Sequence, residues 1–188
     1  MPPQGCPAIF PQAGSACDTP GLNCGPDCDL VIVCDSGVWQ WQQGECPVCA
    51  APNTPVATPQ GERPIAELAA GDLVYSVDGA AIVVVPVLRV GHTRVTAHRV
   101  VRVMLEDGRV LEVSPGHPTA DGHTFGDLLT GEPIDAEHRV VSADLVPYRF
   151  DATYDILPAS SSGTYFAAGA LIGSTLTARS ESRRNSAQ

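Results

Sequence analysis

The chain changes in composition at the stretch Cys49-Ala50-Ala51-Pro52-Asn53-Thr54-Pro55-Val56-Ala57-Thr58-Pro59-Gln60-Gly61. All seven cysteines of the 188 residues lie before position 50, and Cys49 is the last of them. The six upstream cysteines form an even set, which leaves Cys49 as the odd thiol at the junction between two regions of different composition. An odd thiol in such a position is a candidate nucleophile.

Residues 1–48 predict a small disulfide-bonded module. The region is rich in Gly and Pro and contains few apolar residues. Chains of fewer than about 60 residues rarely bury enough surface to fold unaided, and disulfides commonly supply the missing constraint. We therefore expect disulfides among the upstream cysteines, with the pairing left open: Cys6, Cys17, Cys24, Cys28, Cys34 and Cys46.

Two other uses of these cysteines compete with that prediction. The spacings Cys24-x3-Cys28 and Cys46-x2-Cys49 come near those of zinc ligands, but no His lies among the cysteines. A Cys46–Cys49 bridge would block the candidate nucleophile. We favour disulfides that leave Cys49 free, no metal, and hence an extracellular or cell-envelope location. The residues after Met1 lack the basic and apolar regions of a signal peptide, so we expect that signal to be missing from this chain.

Residues 49–176 predict an all-β domain. Short β-branched runs recur between Gly, Pro and Asp turns, a pattern typical of many short strands. One helical turn is expected near Pro64–Leu68. Residues 177–188 are polar and aperiodic, and we interpret them as a disordered tail. The predicted strands are Leu73–Val77, Ile82–Val90, Arg99–Leu105, Val110–Val113, Arg139–Val146, Tyr154–Leu157 and Thr164–Ala167.

A short internal repeat suggests that this domain has two similar halves. Glu67-Leu68-Ala69-Ala70-Gly71-Asp72 matches Asp127-Leu128-Leu129-Thr130-Gly131-Glu132 position by position, as acid, Leu, two residues, Gly and acid. In an all-β domain such a repeat suggests two lobes related by pseudo-symmetry.

The charge of the chain restricts its partners. The formal net charge of −10 argues against a nucleic acid or an anionic membrane as partner. The longest uncharged apolar run, Ala80–Leu88, is far too short to span a bilayer. We expect a monomer with no cofactor and no membrane span.

Five segments resemble, in the same order, the characteristic segments of Hint domains, the self-processing modules of inteins and Hedgehog proteins. The first begins with Cys49, carries Thr54 five residues later and ends in a Gln-Gly turn. Each motif is short, but five in family order with the odd cysteine first make a specific pattern. The segments are Cys49–Gly61, Arg63–Val74, Asp107–Pro118, Tyr154–Ile156 and Tyr165–Ile172.

The resemblance runs from Cys49 to about Leu176 and implies both a fold and a reaction. The fold is a flattened all-β horseshoe with two pseudo-symmetric lobes, in agreement with the strand pattern and the repeat. The reaction is a single-turnover autocatalytic cleavage and not a turnover activity. The thiol of Cys49 attacks the carbonyl of Val48 and converts the Val48–Cys49 amide into a thioester, and water, a thiol or an amine then releases the upstream segment.

The resemblance also assigns roles to four further residues. His117 corresponds to the family's histidine that contacts the scissile amide nitrogen, and histidine is the side chain that exchanges protons near neutral pH. Ser114 stands where the family has a Thr that orients this histidine. Asp155 corresponds to an Asp that acts in later steps of inteins, and Thr54 is expected to position the Cys49 turn.

Structural interpretations stand beside these roles. Asp155 is interpreted equally well as a structural carboxylate inside a strand. His98, His123 and His138 are interpreted as surface or loop residues.

Two departures from the family narrow the expected reaction. Inteins close with His-Asn, and the Asn cyclises to cut the downstream bond, whereas this chain has Gly173-Ser174 followed by Thr175. Neither Gly nor Ser forms a succinimide, so we expect no splicing and no downstream cleavage. Hedgehog proteins activate a sterol with a separate Asp, but the corresponding segment Val90–Arg94 has no carboxylate.

Three functions remain. The first is an autoprocessing domain that releases or transfers the N-terminal module. The second is a degenerate Hint domain with a structural or binding role. The third, ranked last, is a Cys/His hydrolase that acts on other molecules.

Overall fold

The computed structural model describes residues 6–7, 11–24, 30–43, 49–95 and 98–176, and these residues are almost wholly β structure. Two single-turn 3₁₀ helices, Ile65–Glu67 and Phe125–Asp127, interrupt the strands. The strands are β1 (Asn23–Cys24), β2 (Leu30–Asp35), β3 (Val38–Gln43), β4 (Pro55–Thr58), β5 (Gly61–Pro64), β6 (Leu73–Asp78), β7 (Ala81–Arg94), β8 (Arg99–Leu105), β9 (Val110–Val113), β10 (Val140–Pro147), β11 (Ala152–Pro158), β12 (Thr164–Ala167) and β13 (Ala170–Gly173).

The N-terminal module is a three-stranded antiparallel sheet in the order β1-β2-β3. Ser36 and Gly37 both have positive φ and form the tight turn between β2 and β3, as a two-residue hairpin requires. Among the described residues of the module, Ile32 and Trp39 join the buried Cys24 and Cys34 in the core, and Leu22 packs against it. A core of this size is small, so the module depends on covalent constraint.

Two disulfides supply that constraint. Cys6 is bonded to Cys24, and Cys17 is bonded to Cys34. The disulfide prediction is thus confirmed for these four cysteines, whereas Cys28 and Cys46 lie outside the described residues. Because Cys24 is bonded to Cys6, it is not available as the zinc ligand that the alternative interpretation required. The disulfides indicate an oxidising environment.

The larger β region is organised around β7. The first half of this 14-residue strand pairs with β6 and its second half with β11, giving the sheet order β11-β7-β6. Two other sheets have the orders β10-β8-β9 and β13-β12-β4-β5. One continuous apolar core joins these sheets, and its largest fully buried side chains include Tyr165, Phe125, Ile65, Leu105, Leu111 and Ile156.

The sequence repeat corresponds to a structural repeat. In each copy the backbone N–H of the repeat Leu closes a 3₁₀ turn: Leu68 donates to Ile65, and Leu128 donates to Phe125. The repeat Gly has positive φ in both copies, and the acidic side chain accepts the N–H three residues earlier, Asp72 from Ala69 and Glu132 from Leu129. The two halves therefore share one local architecture, as the pseudo-symmetric lobes predict.

The symmetry extends to two turns that the sequence comparison did not align. In Ala51–Thr54 the N–H of Thr54 donates to the carbonyl of Ala51 at 3.0 Å, and in Ser114–His117 the N–H of His117 donates to the carbonyl of Ser114 at 3.0 Å. Each turn leads into a proline and then accepts a hydrogen bond from the buried first residue of the following 3₁₀ turn, Ile65 or Phe125. Thr54 and His117 thus occupy equivalent positions in the two lobes.

All seven predicted strands are present, with differences at their ends. β7 continues four residues beyond the predicted Val90, and this extension pairs with Ala152–Asp155 of β11. The helical turn predicted near Pro64 is the first 3₁₀ helix. β4, β5 and β13 were not predicted, since each has four residues and is too short to show alternation. Within the described ranges, no helix has the length and hydropathy needed to cross a bilayer. Residues 177–188 lie outside those ranges.

Candidate functional site

Backbone pairing on both sides fixes the position of Cys49. The next residue, Ala50, exchanges two hydrogen bonds with Tyr154 of β11, at 2.8 and 2.9 Å. The N–H of Ala51 donates to Glu112 at 2.9 Å, and the N–H of Ser114 donates to the carbonyl of Cys49 at 3.0 Å. The chain therefore enters the domain between β9 and β11, and Cys49 lies in the interior at the point of entry.

The thiol of Cys49 is free and buried, with 6% of the residue exposed. The predicted free thiol is thus confirmed, and the Cys46–Cys49 bridge is ruled out. Burial and, after it, the negative charge of Asp155 raise the pKa of the thiol to about 12, against a smaller lowering by the Thr153 hydroxyl. The thiol is therefore protonated at neutral pH.

Thr153 is a further residue of the site that sequence reasoning missed. It is fully buried on β11, two positions before Asp155. Within the described residues its Oγ1 has no nitrogen or oxygen partner, yet it acts on the Cys49 thiol as a hydrogen-bonding group. Thr153 therefore belongs to the surroundings that set the pKa of the Cys49 thiol.

Ser114 holds the backbone of Cys49 through its side chain. Its Oγ lies 3.3 Å from the amide nitrogen of Cys49, which donates to it, and 3.0 Å from the carbonyl oxygen of Cys49, which accepts from it. Ser114 is itself 1% exposed. The amide nitrogen that would leave in an acyl shift at Val48–Cys49 thus already lies against a hydroxyl.

His117 and Thr54 lie on the two equivalent turns described above, one in each lobe. His117 is fully buried, and its ring packs edge-on against Phe125 at 5.9 Å between ring centres. Thr54 is buried as well, and its carbonyl accepts the N–H of Ile65 at 2.8 Å. The positioning role expected of Thr54 stays a prediction.

Asp155 is fully buried on β11 and accepts five hydrogen bonds. Oδ1 accepts from the N–H of Ile156 at 2.8 Å and from the hydroxyl of Tyr165 at 2.9 Å. Oδ2 accepts from the N–H and the hydroxyl of Thr175, both at 2.7 Å, and from the Ser174 hydroxyl at 3.3 Å. Every partner is a donor, so both oxygens of Asp155 act as hydrogen-bond acceptors.

These contacts bring the downstream end of the domain to the site. Ser174 and Thr175 follow β13 in sequence, and both bind the same carboxylate that acts on the Cys49 thiol. The sequence analysis treated Ser174 only as part of the replacement for the intein His-Asn pair, and Thr175 only as the residue that follows it. The structure shows that their hydroxyls belong to the site, and the missed signal was the presence of two adjacent hydroxyl residues after the last strand.

The histidines outside the motif differ from one another. His123 is exposed, as predicted, with 73% of its side chain accessible. His138 lies in the loop before β10, as the interpretation of a surface or loop position allows, but it is mostly buried, with Nδ1 at 3.0 Å from Oδ1 of Asp135. His98 is also a loop residue, but it is half-buried, with Nε2 at 3.0 Å from the Ser114 hydroxyl, a contact that the sequence did not predict.

Sequence comparison defines the class of the larger β region. A family model described as a Hint domain matches residues 48–120, a range that includes Cys49, Thr54, Ser114 and His117. The chain therefore contains a Hint domain, the self-processing class to which inteins belong. Asp155 lies beyond the matched range. None of the curated proteins matches the chain.

Solved inteins share the fold. The gp41-1 intein is 25% identical with a TM-score of 0.53, over 66% of this chain and 97% of that one. The MchDnaB-1 intein is 22% identical with a TM-score of 0.55, over 66% and 98% of the two chains. A bacterial intein-like domain from Clostridium thermocellum is 19% identical with a TM-score of 0.57, over 67% and 96%.

Proposed function

We propose that the domain processes itself by an N-to-S acyl shift at Cys49, followed by release or transfer of the N-terminal segment. The observation that carries this proposal is the placement of Cys49: a free thiol, buried at the start of the domain, whose amide nitrogen and carbonyl are both held by Ser114. Holding a nucleophile beside its target contributes several kcal/mol to lowering a barrier, about 7–11 kcal/mol in the best cases. We take the processing domain to run from Cys49 to about Leu176, after a module of residues 1–48.

The proposed first step moves one acyl group and one proton. The thiol loses its proton and Sγ bonds to the carbonyl carbon of Val48. The bond between that carbon and the amide nitrogen of Cys49 then breaks, and the nitrogen takes up a proton as it becomes the free amine. We assign His117 as the proton donor and Thr54 as the residue that supports the turn.

The proposed second step transfers the acyl group to water, a thiol or an amine. Splicing is not part of the proposal, because Gly173-Ser174 lacks the side-chain amide that cuts the downstream bond. We propose no cofactor or metal, a monomer without a nucleic-acid partner, and an extracellular or cell-envelope location, which the two disulfides favour.

A purely structural role is the second candidate, and one observation favours it. The pKa of about 12 leaves very little thiolate at neutral pH, and the thiolate is the reactive form. The burial of the same thiol disfavours the third candidate, a hydrolase acting on other molecules, because an external substrate has little access to a residue that is 6% exposed.

Cleavage of the purified chain separates these candidates. The full chain and its Cys49→Ala variant are incubated with and without hydroxylamine or a small thiol, both of which attack thioesters far faster than amides. We expect a cut between Val48 and Cys49 in the wild type only, identified by mass spectrometry and by the new N-terminal residue. An intact wild-type chain under all conditions would support the structural role, and turnover of added ester or peptide substrates would support the hydrolase.

A further inference from the structure

His98 contacts Ser114, although it belongs to none of the five segments that resemble Hint domains. It lies just before β8, and its Nε2 is 3.0 Å from the Oγ of Ser114. Tyr148 fixes the histidine from the other side: its N–H donates to the carbonyl of His98 at 2.9 Å, and the two rings pack edge to face at 5.5 Å. Backbone and ring are thus both held, and the imidazole is aimed at a single hydroxyl.

The hydrogen bonds of Ser114 determine what this imidazole does. A hydroxyl donates once and accepts twice. The Oγ of Ser114 accepts from the amide nitrogen of Cys49 and donates to its carbonyl, so its remaining site is an acceptor. His98 fills that site only as the tautomer that carries the proton on Nε2.

We propose that His98, in this tautomer, is a positioning residue for the acyl shift, acting through Ser114. By donating to Oγ, it prevents the Ser114 hydroxyl from turning toward the imidazole and directs the hydroxyl proton to the carbonyl of Cys49. The backbone of Cys49 is then held at both polar atoms. This role rests on the self-processing function proposed above and adds a second histidine to its machinery.

The surroundings of His98 favour positioning over proton donation. Burial alone lowers the pKa of His98, so the ring is neutral at neutral pH and a poor acid. Titratable groups near the ring include the phenol of Tyr148, which packs edge-on against it, and the thiol of Cys49, whose backbone Ser114 holds. Burial above all raises the pKa values of both, so both are uncharged at neutral pH, and the charge with the largest effect on Tyr148 is that of Glu112. A neutral imidazole N–H beside two uncharged groups fixes the orientation of the Ser114 hydroxyl without transferring a proton.

The test compares His98→Gln with His98→Ala in the full chain. A glutamine amide keeps an N–H donor near the position of Nε2 but does not titrate. We expect His98→Ala to slow cleavage at Cys49 about tenfold, the scale of one buried hydrogen bond, and His98→Gln to stay within about threefold of wild type with an unchanged pH profile. His123→Gln, at the exposed histidine, is the matched control and should cleave at the wild-type rate.

Two outcomes of the cleavage assay would overturn the proposal. If His98→Gln cleaves as slowly as His98→Ala and loses one limb of the pH profile, His98 is a proton donor. If both variants cleave at the wild-type rate, His98 has no role. Should His98→Ala fail to fold, as judged by circular dichroism, His98→Leu, which also removes the donor but keeps more of the side-chain volume, takes its place in the comparison with His98→Gln.

A readout without activity separates this proposal from the proposed function. Two-bond proton–nitrogen NMR correlations identify which ring nitrogen of His98 carries the proton, with His98→Gln used to assign the signal. We expect the proton on Nε2 at neutral pH. A proton on Nδ1 alone would mean that Ser114 donates to the imidazole, which contradicts the proposal even if the chain cleaves. If the chain does not cleave at all, the self-processing function fails, while this measurement still decides the contact.

Discussion

The carboxylate of Asp155 binds Thr175 twice, because Oδ2 accepts both its backbone N–H and its hydroxyl at 2.7 Å. The two residues are twenty positions apart, on β11 and just after β13. Asp155 also raises the pKa of the Cys49 thiol. One buried carboxylate therefore connects the start of the Hint domain with its downstream end.

We predict that the downstream end stays uncut despite this proximity. Ser174 binds Asp155 at 3.3 Å, but its hydroxyl is not a side-chain amide and forms no succinimide. Ser174→Ala should leave the rate of cleavage at Cys49 unchanged. Mass spectrometry of the reacted protein should find residues 175–188 still attached, and a defined loss of that segment would contradict this prediction.

Asp155→Asn should make the Cys49 thiol more acidic. The negative charge of Asp155 disfavours the thiolate and is the second cause of the raised pKa, after burial. Removing that charge should move the thiol pKa below about 12, as followed by thiolate absorbance in the ultraviolet during an alkaline titration. Asp127→Asn, on the exposed second 3₁₀ turn, is the control, and an unchanged thiol pKa in Asp155→Asn would refute the electrostatic link.

His117→Ala should slow the first step by about 10²–10⁴-fold, the usual contribution of a general acid. The residue is fully buried and lies on the turn that begins at Ser114. Water therefore has little access to this position and does not replace the imidazole as proton donor. The rate is measured by hydroxylamine-induced cleavage at Cys49. Cleavage of this variant at the wild-type rate would remove His117 from the mechanism.

The free energy of unfolding should fall with rising pH between about 9 and 12. The thiol pKa is 9.0 for an ordinary cysteine and about 12 in the fold. In this window the unfolded chain has already lost the thiol proton while the folded chain keeps it, so alkali favours unfolding, by up to about 1.4 kcal/mol per pH unit. The contribution is fully present below pH 9 and is lost as the pH rises toward 12.

Urea unfolding at about pH 8 and about pH 10 measures this dependence. Tyr165 contributes in the same direction, because burial and Asp155 raise its pKa well above its usual range. Cys49→Ala should therefore reduce the pH slope without abolishing it. An identical slope in the two proteins would show that the thiol titrates normally in the fold.

Thiol counting should find one thiol per chain, and only after unfolding. Four cysteines are paired, and Cys49 is free but buried. We expect Cys28 and Cys46 to pair with each other. A slow reaction with a thiol reagent in buffer and one equivalent in denaturant, mapped to Cys49, is the expected result, and three equivalents in denaturant would show that Cys28 and Cys46 are unpaired.

Local features of the sequence sufficed for much of the fold. The repeat at Glu67 and Asp127 predicted two related halves, because a 3₁₀ turn, a Gly with positive φ and a capping acid are all set within six residues. The equivalence of Thr54 and His117 was missed, since it rests on backbone hydrogen bonds that different side chains permit. β13 was not predicted because its four residues are too few to show alternation, and its pairing with β12 determines its position.

The sequence by itself determined which residue is the candidate nucleophile, because an odd cysteine at a change of composition is visible in composition and order alone. It also determined the prediction of an uncut downstream end, because Gly173 and Ser174 lack the side-chain amide of the intein route. Only the tertiary structure decided the surroundings of the Cys49 thiol. Burial and the charge of Asp155 set the pKa of Cys49, and His98 reaches Ser114 across 16 positions. Desolvation and contacts between distant segments arise from strand pairing and packing, which no short stretch of the chain encodes.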